Sequence, residues 1–416
     1  MTVTGGAHQP TPQFPTHNAP RVWLITAGDS PIGISLARSV LSHGDYVVSG
    51  IIPAEFEREG TRSEEFKNFL AEVGAKVGEG WKDRLRIVAL DVRIMGQCQA
   101  AVAAAVTAFG RVDILLNCTS QAMIGAVEEF GASHRTRMLV RDQFETNFFG
   151  PLNIVKAALP QMRTQKIGHM IILGGITGHL GTPGLGMYCA ANWALEGFCD
   201  SIAYEIAPFN IKMTIVQASI ELGILSNKII TAPQLAAYLP DVNPAPLFRG
   251  LLDGLLNRLP EIKKQYPTSP PSPVVDTPSV ATDNAEDDSG VGVDSPYSSI
   301  SRDFGPNLLS KNEIVSLYPP LSHAHSEKLI AETTHALTAI GGHENPPARH
   351  IIGVEGVASV KEKLKTVSEE LEDFVDVSIA VDFEKSISDN KRKHPGGGDD
   401  DGNEDLDGPI DFGITH

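Results

Sequence analysis

Cysteine is scarce in this chain of 416 residues. There are four, Cys98, Cys118, Cys189 and Cys199, and none forms a C-x-x-C pair. That excludes a disulfide framework and a thiolate zinc ribbon, and it predicts a reducing, intracellular and cytoplasmic setting. No H-E-x-x-H or similar spacing occurs, so no metal-ligand motif is expected. A basic excess is also missing. Lys and Arg number 34 against 51 Asp and Glu, for a formal net charge of −17. A field of that sign argues against nucleic acid and anionic membrane as partners. No apolar run is long enough to span a bilayer, and "MTVTGGAHQPTPQFPTHNAP" lacks the basic start and apolar core of a secretory leader.

What is present is a regular alternation. Hydrophobic residues make up 42% of the chain, enough for a packed core. "VWLIT" (22–26), "YVVSGII" (46–52), "RIVALDV" (86–92), "VDILLN" (112–117), "GHMIILGG" (168–175) and "IKMTIVQ" (211–217) read as buried strands. Amphipathic helices lie between them; in "IGISLARSVLSHG" (32–44), Ile34, Ala37, Val40 and Leu41 share one face, and a glycine ends the run. Continuous apolar strands alternating with helices predict a Rossmann-like, doubly wound parallel sheet of the α/β class, covered on both faces.

Composition divides the chain further. Residues 1–19 are expected to be a disordered N-terminus, and 20–264 plus 307–384 one Rossmann-like domain. Between them, 265–306 is a Pro-, Ser- and Asp-rich insertion with too little aliphatic content to offset its ordering entropy. "SEKLIAETTHALTAI" (326–340) and "GVASVKEKLKTVSEELEDF" (356–374) read as helices around a strand, "ARHIIGV" (348–354). Residues 385–416 form an acidic tail. The insertion holds Ser269-Pro270, Ser272-Pro273, Thr277-Pro278 and Ser295-Pro296, a pattern that suits proline-directed kinases, although disordered segments acquire such pairs by composition alone.

"TAGDSPIG" (Thr26–Gly33) lies where the first strand gives way to a helix. A nucleotide fold cradles a pyrophosphate there, and it needs glycine for the tight turn and the close backbone approach. The turn resembles T-G-x-x-x-G-x-G of the short-chain dehydrogenase/reductase family, with Ala27 and Pro31 in place of the first two glycines. Further segments match in order: "LDV" with Asp91, "DILLNCTS" with Asn117, "FETNFFGPLNIVKAALPQM" with Asn147, and "GTPGLGMYCAANWALEGF" with Tyr188. The resemblance covers roughly 21–264 and 307–375. It implies a cofactor, NAD or NADP, held by Thr26, Gly28, Ile32, Gly33, Asp91 and Asn117. The usual reader of the 2′ position is not evident after "VVSGIIPAE", where the nearest acid is Glu55, so the two cofactors are not distinguished.

The same resemblance implies a serine that orients substrate, a tyrosine that moves the proton, and a lysine that lowers the tyrosine's pKa. Asn147 would hold a relay water. The matching positions are Gly175, Tyr188 and Asn192, so only the tyrosine is retained. Thr177, two residues from Gly175, replaces the serine only if its loop reorganises. Free tyrosine titrates near ~10, and it needs a neighbouring cation to act near neutrality. Where the family has Pro-Gly and a carboxamide-binding threonine, the chain has "ASIELG" (218–223). Two readings follow. One is a family member with degraded catalysis, serving as a nucleotide sensor or scaffold. The other is a working NAD(P)-dependent oxidoreductase on a small alcohol or carbonyl, using Tyr188 with unusual support. The family also implies a homodimer through the helices carrying Asn147 and Tyr188.

Overall fold

Val22 and Leu24 point to one side of the first strand, and Trp23 and Ile25 to the other; all four are buried. This period-two burial on both faces is the condition for a sheet covered by helices twice. The computed structural model, which describes residues 12–58, 60–131, 133–218, 227–233, 235, 237, 315–317 and 324–378, meets it. The chain divides into two units, Met1–Lys363 and Leu364–His416, and the first contains the sheets. The predicted insertion 265–306, the tail 385–416 and Ser219–Gly223 lie outside the described residues.

The main sheet has seven parallel strands: β1 (Val22–Ile25), β2 (Tyr46–Ile51), β3 (Leu85–Ala89), β4 (Ile114–Asn117), β6 (Gly168–Gly175), β7 (Ile211–Ala218) and β10 (Arg349–Ile352). Their order is β10-β7-β6-β4-β1-β2-β3. The doubly wound reading is correct, including the last strand, which pairs Ile352 with Ala218. One face packs Trp23 and Ile25 with Leu36, Val40, Phe66, Phe69 and Leu337. The other packs Val22 and Leu24 with Ile154, Met162, Leu195 and Ile202. No described helix is long and apolar enough to cross a membrane.

The first helix (Pro31–His43) shows why the local sequence folds as it does. Ser30 caps it, accepting the Gly33 N–H at 3.1 Å, and Pro31 has a fixed φ that suits the first turn. Gly44 ends it in the left-handed region at φ 107. In the helix Gly186–Ile206, buried Tyr188, Asn192, Leu195, Cys199 and Ile202 recur every three or four residues, so Tyr188 and Asn192 face inward.

Two features were not read from sequence. A second sheet joins β5 (Gln121–Ile124), β8 (Lys228–Thr231) and β9 (Val315–Leu317), with β5 and β8 parallel. These strands are short and pair across long separations, so periodicity gives no sign of them. The other is a set of contacts made by residues 12–19, within the segment expected to be a disordered N-terminus. Phe14 packs edge-on to Trp23 and stacks on His43, and His17 reaches Asp45 at 3.0 Å. Composition registered the prolines there and missed the one aromatic that anchors the segment.

Candidate active site

Strand order reverses between β4 and β1, and the crevice beyond their carboxyl ends is where such sheets take ligands. Thr26, just past β1, is the hub there. Its hydroxyl bonds Asn117 Oδ1 at 3.1 Å and accepts from the N–H groups of Cys118 at 3.0 Å and Thr119 at 3.2 Å. Asn117 Nδ2 is buried and has no partner among the described residues.

The turn from Ala27 to Gly33 keeps the shape of a phosphate cradle. Ala27 takes φ 45, a conformation that would suit a glycine better. Gly28 donates to Gly50 O at 2.8 Å, and an added Cβ would collide with the Ser49 side chain. At Gly33 a Cβ would sit 2.8 Å from Ala27 O. Donors are fewer than the shape suggests, because Pro31 has no N–H and Ser30 takes that of Gly33. The close backbone approach and the orphaned Asn117 amide nonetheless fit a dinucleotide in outline.

Charged residues cluster around Asp29 and Asp91. Asp29 is buried against Arg62 at 2.6 Å, with Glu55 3.7 Å from the same guanidinium. Burial raises the Asp29 pKa, and Arg62 opposes that rise. Arg93 grips Asp91 through two nitrogens and reaches Asp142 at 2.7 Å. Burial works against the Arg93 charge, but its bonds to Asp91 and its attraction to Asp142 outweigh that and raise its pKa. Burial lowers the Lys228 pKa, while Glu55 and Asp142 pull it up. Asp91, the expected adenine contact, is therefore engaged by a residue of its own loop. Arg93 stands two residues after it and was open to detection. Arg62 and Lys228 come from distant segments and left no local signal.

At the other end, Tyr188 and Asn192 lie one helical turn apart, both buried. Asn192 Nδ2 donates to Thr177 Oγ1 at 2.7 Å. Thr177 thus lies beside the expected lysine position. Gly175 ends β6 in extended backbone beside Ala218 of β7. Asn147 sits in a π turn, Glu145–Phe149, and clasps the backbone of Gln121, accepting from its N at 2.9 Å and donating to its O at 3.0 Å. Its amide therefore anchors β5. Tyr188, Asn192, Thr177 and Gly175 converge at the carboxyl ends of β6 and β7, whereas Asp91 is tied to Arg93 and Asp142. All four cysteines are free and buried, and burial pushes the Cys98 thiol up to about 12.

The fold defines a Rossmann-like α/β protein, and comparison with known proteins specifies the class. The short chain dehydrogenase family matches residues 21–222. Oxidoreductase BOA17 of Botryotinia fuckeliana is 32% identical over 197 residues, 47% of this chain and 64% of that protein. Human retinol dehydrogenase 8 is 29% identical over 238 residues, 56% of this chain and 70% of its own length. The 3-ketodihydrosphingosine reductase of Bacteroides thetaiotaomicron is 30% identical over 213 residues, 51% of this chain and 68% of that one. In fold, a short-chain dehydrogenase from Streptomyces avermitilis superposes with a TM-score of 0.55 at 23% identity, covering 88% of this chain and all of its own. The chain belongs to the short-chain dehydrogenase/reductase family.

Proposed function

We propose that this chain is a short-chain dehydrogenase/reductase scaffold with little hydride-transfer activity, whose crevice holds a nucleotide in a sensing or scaffolding role. The bond from Asn192 to Thr177 carries this reading. An amide stands where the family resemblance expects an ammonium, and it contributes no positive charge to Tyr188. Bringing a phenol from ~10 to near neutrality takes about 4 kcal/mol of differential stabilisation. A neutral donor engaged with a threonine is a poor source of it.

NAD or NADP, when bound, supplies a site for hydride gain or loss. Thr26, Gly28, Ile32, Gly33 and Asn117 would hold it, with Asp91 at the adenine end. The Asp91–Arg93 pair opposes strong affinity, because the adenine contact already has a partner. The four buried, free thiols fit an intracellular, cytoplasmic protein. The Ser/Thr-Pro pairs of 265–306 are the proposed sites of kinase action. Exposed Trp193 and Phe149, on the helix of Tyr188 and the π turn of Asn147, support a homodimer.

Titration with NADH and NADPH by fluorescence and calorimetry tests the reading. Weak binding without turnover of a carbonyl panel is expected. Micromolar binding with turnover overturns the loss of catalysis, and no binding at millimolar cofactor overturns the nucleotide role. A second reading has one observation in its favour. Thr177 beside Asn192 offers an oriented hydroxyl, the non-standard support with which Tyr188 would reduce a small carbonyl or oxidise an alcohol.

A further inference from the structure

At the opposite end of the main sheet, three side chains from separate local contexts converge. His17 comes from the N-terminal segment, His43 ends the first helix, and Asp45 precedes β2. One donor atom from each lies within 4.8 Å of the other two. The structure assigns these residues, we infer, as a binding site for a divalent transition metal of the zinc type, with two imidazole nitrogens and one carboxylate oxygen as ligands.

The hydrogen bonding around the three supports this assignment. His17 Nδ1 lies 2.9 Å from Pro15 O, a carbonyl that only accepts, so Nδ1 carries the proton. Its Nε2 then faces Asp45 Oδ1 at 3.0 Å, a second acceptor. With a proton on Nε2 as well the contact is an ion pair, and a divalent cation bound by both atoms takes that proton's place. A ring N–H given to a backbone carbonyl is the usual outer support of a metal-bound histidine. Asp45 is oriented in the same way: Oδ1 accepts Arg21 N at 2.9 Å and Oδ2 accepts Trp23 Nε1 at 3.4 Å. The His43 ring is fixed by stacking on Phe14, with centroids 4.0 Å apart.

Spacing and chemistry agree. A tetrahedral ion at roughly 2.1 Å from each ligand sets the ligand atoms about 3.4 Å apart. The His17–Asp45 separation of 3.0 Å lies close to that value, and the three ligand atoms all lie within 4.8 Å of one another. Two imidazoles and one carboxylate suit zinc, and water would complete the coordination. The helix C-terminus at His43 also favours positive charge. A bound ion would tie residues 12–20 to the domain, far from the crevice at the carboxyl ends of the strands.

The test is calorimetric titration of the untagged, chelator-treated full chain with Zn2+. One ion per chain is expected. His17→Ala and His43→Ala should each weaken it by more than the roughly 10–100-fold that loss of an outer-shell partner costs. Asp45 is left intact because it also holds Arg21 and Trp23. Circular dichroism of both variants should match the wild type, since His43 is exposed and His17 lies outside the sheet. With Co2+ as a probe, the visible absorption of a tetrahedral site should appear in the wild type and vanish in both variants. Zn2+ binding that both variants retain unchanged overturns the site. So does the absence of any one-to-one binding below millimolar Zn2+.

Discussion

Asn147 holds the start of β5 through its side-chain amide. Its side chain satisfies both the N–H and the C=O of Gln121, and Gln143 Nε2 also reaches that carbonyl at 2.8 Å. Asn147→Ala would therefore orphan the buried N–H, at a cost of about 1–3 kcal/mol in urea unfolding. A loss under ~0.5 kcal/mol would mean that water or another group takes over. Asn192 and Gly175 call for the reverse experiment. A Gly175→Ser, Asn192→Lys double variant places a hydroxyl and a cation where the family resemblance expects them; on the proposed loss of catalysis, NAD(P)H-dependent carbonyl reduction should rise by ~10²-fold or more over wild type. No rise, with the fold intact, would place the defect in the crevice and not in the catalytic set. These residues were legible in the sequence because motif order sets their register. The bond between Asn192 and Thr177 was not, because side-chain meeting across a loop and a helix leaves no local pattern.

Among the elements, the turn from Ala27 to Gly33 is where shape and chemistry separate. Its glycines are required by backbone contacts, and those persist whether or not a ligand binds. Gly33→Ala would press a Cβ against Ala27 O, backbone that cannot rotate away. About 1–3 kcal/mol of stability should be lost, along with any nucleotide affinity; calorimetric melting and cofactor titration read the two. Nucleotide binding that survived unchanged would show that the turn is not the cradle. Strand and helix bounds were legible within a few residues, since the apolar runs are long and capped. The sheet of β5, β8 and β9 was not, because its strands have three or four residues and their partners lie far along the chain.

Over the whole molecule, acid sensitivity should trace to His169. Burial, with added repulsion from Arg21, His343 and Lys212, pushes its pKa down to about 3. The hydrogen bonds agree with a neutral ring: Nδ1 accepts Gly342 N at 3.0 Å, and Nε2 lies 2.9 Å from Thr214 Oγ1, which donates to Pro347 O. The unfolded chain takes up a proton near pH ~6.5. This stabilisation is therefore fully present above about 6.5 and is lost as pH falls toward about 3. Melting temperature should drop more steeply between pH 7 and 4 in the wild type than in His169→Gln. Parallel slopes would exclude His169 as the cause. Association is the other property at this scale. Trp193→Glu should convert a dimer to monomers in sedimentation, and a wild type that is already monomeric would rule that interface out.

The sequence alone determined the doubly wound class, the order of the family motifs and the identities of Gly175, Tyr188 and Asn192. Those follow from periodicity and register, which are local properties of a chain. The tertiary structure decided how the charges pair, with Arg93 engaging Asp91 and Arg62 engaging Asp29. It also decided that Asn147 anchors a strand, and that His17 meets His43 and Asp45 at the far end of the sheet. Those outcomes depend on which distant side chains share a buried space. Desolvation makes each such group find a partner, and only the folded chain supplies the choice of partners.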